Sequence, residues 1–307
     1  MNNTENITSV SKHKLRAQIS IHSMMIPAVA LALVFSILPL VGLIMAFQDY
    51  KPTRGLFGSQ FVDVYNFTKL FNRPDFLSAT RNTFVIAVLK IIAITILSIV
   101  VALLLNEIQN TKLKKVIQTT IFLPYFLSWA VLGSIFVEMF SLNGTFNYLL
   151  SMLNMKGKYW ITDNSWFRVI IVATDVWKTL GYQVVVFLAA ITTINSNLYE
   201  ATEIDGAGHW QKCMHITVPS IKPMITLMSI LNIGNIMNAG FEQILVMYSP
   251  SVYESGDILD TMGYRIGLLG MDYSMGTAIG LFKSIISCIC FIIAYRIAFK
   301  VSDYKMF

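Results

Sequence analysis

The chain has 307 residues, 55% of them hydrophobic and only 13% charged, with a mean hydropathy of +0.62. Soluble globular domains carry about 25% charged residues, so this composition excludes an ordinary soluble enzyme and points to the bilayer. The net charge of +6 comes with no basic stripe interleaved with aromatics, so there is no nucleic-acid signature. Cys213, Cys288 and Cys290 form neither a disulfide framework nor a metal spacing.

Residues 1–23 are polar and include Lys12, Lys14 and Arg16, whereas 24–47 carries no charge. That run is longer than the ~7–15-residue core of a signal peptide and no small-residue cleavage site follows it. It reads as an uncleaved membrane helix. Further spans of the ~20-residue bilayer length are expected over 83–105, 117–140, 169–191, 224–247 and 274–299, giving six transmembrane helices. Lys and Arg near the span ends, clearest in Lys112-Leu113-Lys114-Lys115, place both termini in the cytoplasm. The expected division is a cytoplasmic tail at 1–23, a first helix with an extracellular segment at 24–82, a five-helix core at 83–299 and a cytoplasmic tail at 300–307. Aromatic and polar residues alternate between Phe61 and Phe76, and Tyr159, Trp160 and Trp166 surround Asp163, as at a membrane interface.

Enzyme motifs are missing. The chain has no G-x-x-x-x-G-K-[ST] loop, no H-E-x-x-H and no G-x-S-x-G. His13, His22, His209 and His215 all lie in polar segments. No catalytic, cofactor-binding or metal-ligating residue is therefore expected.

A polar interruption between the fourth and fifth spans has more internal logic. It runs Tyr199-Glu200-Ala201-Thr202-Glu203-Ile204-Asp205-Gly206-Ala207-Gly208 and is closed by Ile216-Thr217-Val218-Pro219. Asn197 is a suitable N-cap with Glu200 three residues on, and the acids suit the positive end of the helix dipole. Gly206 and Gly208 stop this helix. A second short helix over 209–217 is expected to end before Pro219, which starts the next span. Surface-lying membrane helices are usually basic, so a short acidic helix with small residues suits a groove on a protein partner better than lipid.

Glu200-Ala201-Thr202-x-x-Asp205-Gly206-Ala207, with Ile216-x-Val218-Pro219 downstream, resembles the signature cytoplasmic loop of ABC importer permeases, E-A-A then D-G-A then I-x-L-P. Thr202 and Val218 depart from that pattern. The resemblance extends over nearly the whole chain and is closest to carbohydrate-uptake permeases of the LplB type. It is carried by Phe122-Leu123-Pro124-Tyr125-Phe126-Leu127-Ser128-Trp129, Val176-Trp177-Lys178-x-x-Gly181-Tyr182, Asn238-Ala239-Gly240-Phe241-Glu242-Gln243, Tyr253-Glu254-x-Gly256-Asp257-Ile258-Leu259-Asp260-Thr261 and Ala278-Ile279-Gly280-Leu281-Phe282-Lys283-Ser284. It implies an all-α, six-helix type I importer permease in a bacterial cell membrane. It further implies a second permease partner, two ATPase subunits that hold ATP and Mg, and an extracellular lipid-anchored solute-binding protein delivering a carbohydrate. On this resemblance Glu200, Ala201, Thr202, Asp205, Gly206, Ala207, Gly208 and Pro219 form the ATPase-coupling loop, at about 195–220.

Polar residues inside spans are costly and mark a path or a helix contact. Asn232, Asn235 and Asn238 recur every third residue and Glu242 follows, a stripe suited to sugar hydroxyls or to interhelical bonds. Asp175 and Lys178 are spaced for a local ion pair, and Trp177 could stack on a sugar or simply pack. Pro124 is expected to kink the third span. Lys90, Glu138 and Lys283 have no partner assignable from sequence. A rival reading is an ion-coupled secondary transporter relaying through Glu138, Asp175, Lys178 and Glu242; a structural or receptor protein is a third.

Overall fold

The computed structural model describes residues 22–204 and 206–302; residues 1–21, Asp205 and residues 303–307 lie outside the described residues. Helix α1 is His22–Phe47, whose first half has an exposed apolar surface. A two-residue antiparallel ladder follows, β1 Gln48–Asp49 against β2 Gln60–Phe61, with Gln48 opposite Phe61. Helix α2 spans Tyr65–Phe71. Its buried Asn66 donates to the carbonyls of Ala46 (3.0 Å) and Gln48 (2.9 Å), tying this connection to the end of α1.

Helix α3 is Pro74–Asn106, nine residues longer at its start than the apolar pattern implied. Pro74 sits at the first helical turn, where its missing N–H is harmless. Asp75 and Arg81 hide that turn from hydropathy.

The third span is broken. Helix α4 (Thr111–Phe126) and helix α5 (Trp129–Met139) meet at 99°. Pro124 lacks the donor to continue α4, and the Ser128 hydroxyl accepts from the Val131 N–H to start α5. Pro124 therefore does more than the expected kink. Helix α6 spans Asn164–Thr192, helix α7 spans Ser196–Ile204, and helix α8 spans His209–Gly234.

The fifth span departs most from expectation. The helix predicted over 209–217 is not separate but continuous with the membrane helix α8. A widened turn at Cys213–Thr217, where the Val218 N–H reaches the Cys213 carbonyl, leads into Pro219 and Pro223 without stopping the helix. Extra residues in a turn are a usual way to accommodate a proline ring. The chain then leaves helical form after Gly234, inside the predicted 224–247 span, and resumes as α9, Phe241–Met247. Helix α10 is Leu259–Gly263 and helix α11 is Tyr273–Ser302.

Two apolar clusters hold this bundle. One, toward the start of α6, joins Ile86, Phe167, Ile171, Met237, Ile244 and Met262. The other, toward the end of α6, joins Ala102, Leu105, Phe187, Leu188, Ile191 and Ile221. The connection between α9 and α11 is clamped over the first cluster. Asn82 donates to the Glu254 and Asp257 carbonyls, and Arg168 to the Ser255 carbonyl and the Asn82 side chain. Arg265 forms a two-pronged pair with Asp257 at 3.0 and 2.6 Å, and that hydrogen bond raises the guanidinium pKa further. Lys283 on α11 grips both oxygens of Asp260 on α10 at 2.6 and 2.7 Å.

Gly256 packs flat on Phe167: a Cβ there would lie 2.1 Å from the ring. Gly256→Ala is expected to lower stability by about 1–3 kcal/mol through overpacking, read as a fall in detergent Tm. Gly280→Ala, where a Cβ meets nothing within 4 Å, should be neutral or raise it by up to about 1 kcal/mol.

Candidate functional site

Between the two apolar clusters, α3, α6 and α8 turn polar at the same level. The order along α3 is Ile86, then Lys90 and Ile94, then Ala102; along α6 it is Ile171, then Asp175, Thr179 and Gln183, then Phe187. A cavity of about 260 Å³ opens there. The amides of Gln183, Asn232, Asn235 and Asn238 line it, together with Tyr125 and Tyr182. The two tyrosine rings stack at 5.2 Å and 13°. Polar groups at mid-depth in a membrane bundle are costly and are found where they bond one another or face a path.

The three asparagines reach the cavity by a route their spacing did not predict. Only Asn232 lies within α8. Asn235 caps the helix end and Asn238 lies in the break, exposed to the cavity, while Ile236 and Met237 between them and Ala239 after them are buried. The break, not a helical stripe, turns the amides to one side. Asn232 Oδ1 accepts a long 3.4 Å bond from Gln183, and its Nδ2 donor is buried with no partner among the described residues. A buried amide N–H without an acceptor is rare in folded proteins, and this one lies on the cavity wall.

The ionic partners also differ from expectation. Asp175 pairs with Lys90 across α3 and α6 at 3.3 Å, not with Lys178. Lys90 is 7% exposed and also donates to the Ala239 carbonyl and to Gln243 Oε1. Gln243 in turn donates to the Ile171 carbonyl and the Thr174 hydroxyl, both at 2.8 Å. Lys178 donates to the Tyr125 carbonyl at 3.1 Å, a group freed by the α4–α5 break, and its ammonium sits over the Tyr125 and Trp129 rings. Trp177 faces away from the cavity. It is half exposed, packs edge-on against Phe136 and lines an apolar groove with Leu89 and Leu97. Glu242 and Glu138 are exposed and are not on the cavity wall. Lys178, Trp177 and Glu242 therefore do not line this cavity, whereas Lys90, Asp175, Gln183, Tyr125 and Tyr182 do. Gln243 was legible as the one uncharged polar residue between Glu242 and an apolar run, but the charge of Glu242 drew the reading instead.

The second feature is the elbow between α7 and α8. Asn195, not Asn197, caps α7: its side chain accepts from the Asn197 N–H at 3.0 Å. Gly206 takes φ +74°, a left-handed conformation that glycine adopts freely, and Gly208 starts α8 with its N–H held by Gln211 at 2.9 Å. Lys212 on α8 bonds Glu203 on α7, holding that carboxyl below its usual pKa range. The bond is intact at neutral pH and is lost only as pH falls through that lowered range. Tyr199 Oη meets Thr217 Oγ1 at 2.9 Å. The Thr202 hydroxyl bonds back to the Leu198 and Tyr199 carbonyls, so it stays within its own helix and adds no outward polar group. Glu200, Ala201, Leu198 and Trp210 are exposed, and Ala207 and Gly208 flank the turn. Pro219 lies inside α8, past the wide turn. The ends of α3 and α8 meet here through Glu107 and His209 at 3.0 Å.

Comparison with known proteins identifies the family of the chain. The family model described as binding-protein-dependent transport system inner membrane component matches residues 94–303. Protein LplB of Bacillus subtilis (strain 168) is 36% identical over 288 residues, 94% of this chain and 91% of that one. The polygalacturonan/rhamnogalacturonan transport system permease protein YteP of the same organism is 34% identical over 291 residues, with 94% and 91% coverage. A chain in the crystal structure of a bacterial alginate ABC transporter, in complex with alginate pentasaccharide-bound periplasmic protein, superposes with a TM-score of 0.88 at 30% identity. That match covers 96% of this chain and 99% of that one.

The two polar elements of the cavity should respond oppositely to mutation. Asn232→Leu removes an unpartnered buried donor and is expected to change stability by no more than about 1 kcal/mol. Asp175→Asn strands the Lys90 ammonium and is expected to cost about 3–5 kcal/mol. Thermal unfolding of the detergent-purified protein measures both.

Proposed function

Because the chain belongs to the family of binding-protein-dependent transport system inner membrane components, and is a multi-pass permease subunit of an ABC importer, we propose that its cargo is an oligosaccharide. The observation that supports this cargo is the cavity. Uncharged amides offer both donors and acceptors, as sugar hydroxyls require, and the stacked Tyr125–Tyr182 pair offers an apolar face for sugar C–H groups. Relatives named for polygalacturonan/rhamnogalacturonan transport and for alginate import support the same class.

In this reading a second permease completes the path. Two ATPase subunits on the cytoplasmic side hold ATP and Mg and carry out hydrolysis. A lipid-anchored binding protein delivers sugar outside, and both termini are cytoplasmic, in the cell membrane of a bacterium. The six-helix body divides into the first helix with its extracellular segment at 24–82, the core at 83–299 and cytoplasmic tails at 1–23 and 300–307. Helix α7 is the coupling helix. Glu200 and Ala201 present its docking face, Thr202 closes its last turn, and Asp205 adds a negative charge to the loop. Gly206, Ala207 and Gly208 set the angle to α8, and Pro219 follows the wide turn that joins the elbow to the membrane part of α8.

The ion-coupled alternative is set aside by the family and by geometry. Asp175 is committed to Lys90, Lys178 to the Tyr125 carbonyl, and Glu138 and Glu242 face outward, so the four residues form no relay.

The test is uptake by the assembled transporter in proteoliposomes, over a panel of labelled plant and algal oligosaccharides, with and without ATP. ATP-dependent uptake of at least one glycan is expected; uptake driven by an ion gradient alone would overturn the reading. Gly206→Val, a β-branched residue at positive φ, is expected to abolish uptake and ATPase co-purification, whereas Gly206→Asn, which tolerates that conformation, retains both. Full activity of Gly206→Val would remove the coupling assignment.

A further inference from the structure

We propose that Lys90 is a positioning residue for the translocation path: it pins the break between α8 and α9, so that Asn235 and Asn238 face the cavity while Ile236, Met237 and Ala239 stay packed in the core. An ammonium carries three donors, and three oxygens surround that of Lys90. One donor reaches the Ala239 carbonyl at 2.8 Å, inside the break. One reaches Gln243 Oε1, in the first turn of α9. The third faces Asp175 Oδ1 at 3.3 Å. The two shorter contacts go to the break and to the first turn of the helix after it, not to the counter-charge.

The frame around the ammonium is rigid. Gln243 is fully buried, and its amide is fixed by the Ile171 carbonyl and the Thr174 hydroxyl of α6. Gly240, next to the anchored Ala239, takes φ +95°, and a Cβ added there would lie 2.6 Å from Lys90 Nζ. Lysine and glycine therefore fit as a pair: the side chain occupies the space that any other residue at 240 would fill. The carbonyls of an unwound segment need partners at membrane depth, and Lys90 supplies one from a neighbouring helix. The proposal concerns how the path is shaped and does not depend on the cargo being a carbohydrate.

The rival role for Lys90 is plain neutralisation of Asp175. The two roles separate in a double variant, since Lys90→Met with Asp175→Asn restores neutrality but not the pin. The reporter is Met237→Cys, at a position 1% exposed, in a chain whose Cys213, Cys288 and Cys290 are replaced by serine. The assembled transporter in detergent is treated with N-ethylmaleimide, and labelling of the residue-237 peptide is followed by mass spectrometry. With Lys90 present, labelling is expected to be slow. In Lys90→Met it should rise about tenfold or more, following the population of the opened segment, and it should stay high in the double variant. Lys90→Arg, which keeps the donors, should restore protection. Gly240→Ala, which crowds the ammonium and also strains a backbone at φ +95° while leaving both charges, should raise labelling as well; it serves where Lys90→Met does not assemble. Protection regained in the double variant, or unchanged labelling in both Lys90→Met and Gly240→Ala, would overturn the proposal.

Discussion

An ammonium group buried at mid-depth in a membrane bundle is the constraint around which this chain is arranged. Lys90 is almost wholly removed from solvent, and charge in such a place is tolerated only when paired and fully hydrogen-bonded. Its partners come from three different parts of the chain: Asp175 on α6, Ala239 in the break and Gln243 on α9. Meeting that one requirement brings α3, α6 and the broken fifth span to a common point. The apolar clusters on either side then exclude lipid and water from the remaining contacts.

Two breaks in otherwise apolar spans give the cavity its chemistry. Where α4 stops, the Tyr125 carbonyl is released and taken by Lys178. Where α8 stops, the Ala239 carbonyl is released and taken by Lys90. In both cases a lysine from a neighbouring unbroken helix satisfies the freed group. Each break also carries its own lining residues to the cavity, Tyr125 from the first and Asn235 and Asn238 from the second. Irregular backbone at this depth persists where it lines a cavity or is buried in protein, and both conditions hold here.

Much of the architecture could be read from the sequence because hydropathy over ~20 residues reports membrane depth directly. Four spans and the bent third fell where apolar runs placed them, whereas the fifth is helical over 209–234 and not over 224–247. The glycine elbow was legible because positive φ demands a particular residue type. What sequence could not supply was continuity and pairing. Hydropathy does not distinguish a helix from an unwound apolar segment, so Ile236-Met237 passed as helix. Proximity in sequence favoured Lys178 for Asp175, whereas packing chose Lys90, 85 positions away. The asparagines were recognised by composition, yet their common direction comes from a break rather than from a 3.6-residue period. Trp177 and Glu242 are chemically apt for a sugar, but both are exposed and neither lines the cavity.

The continuity of α8 has one more consequence. The helix runs for 26 residues from His209, beside the elbow, to Gly234, next to Asn235. At 1.5 Å per residue that is about 39 Å of nearly unbroken backbone. An event at the elbow therefore needs no chain of side-chain rearrangements to be felt at the cavity. A swing of about 5° about one end displaces the other by roughly 3 Å over that length, comparable to a hydrogen-bond distance. The message would travel as displacement of a single body, and its fidelity would depend on the stiffness of the one wide turn at Cys213–Thr217.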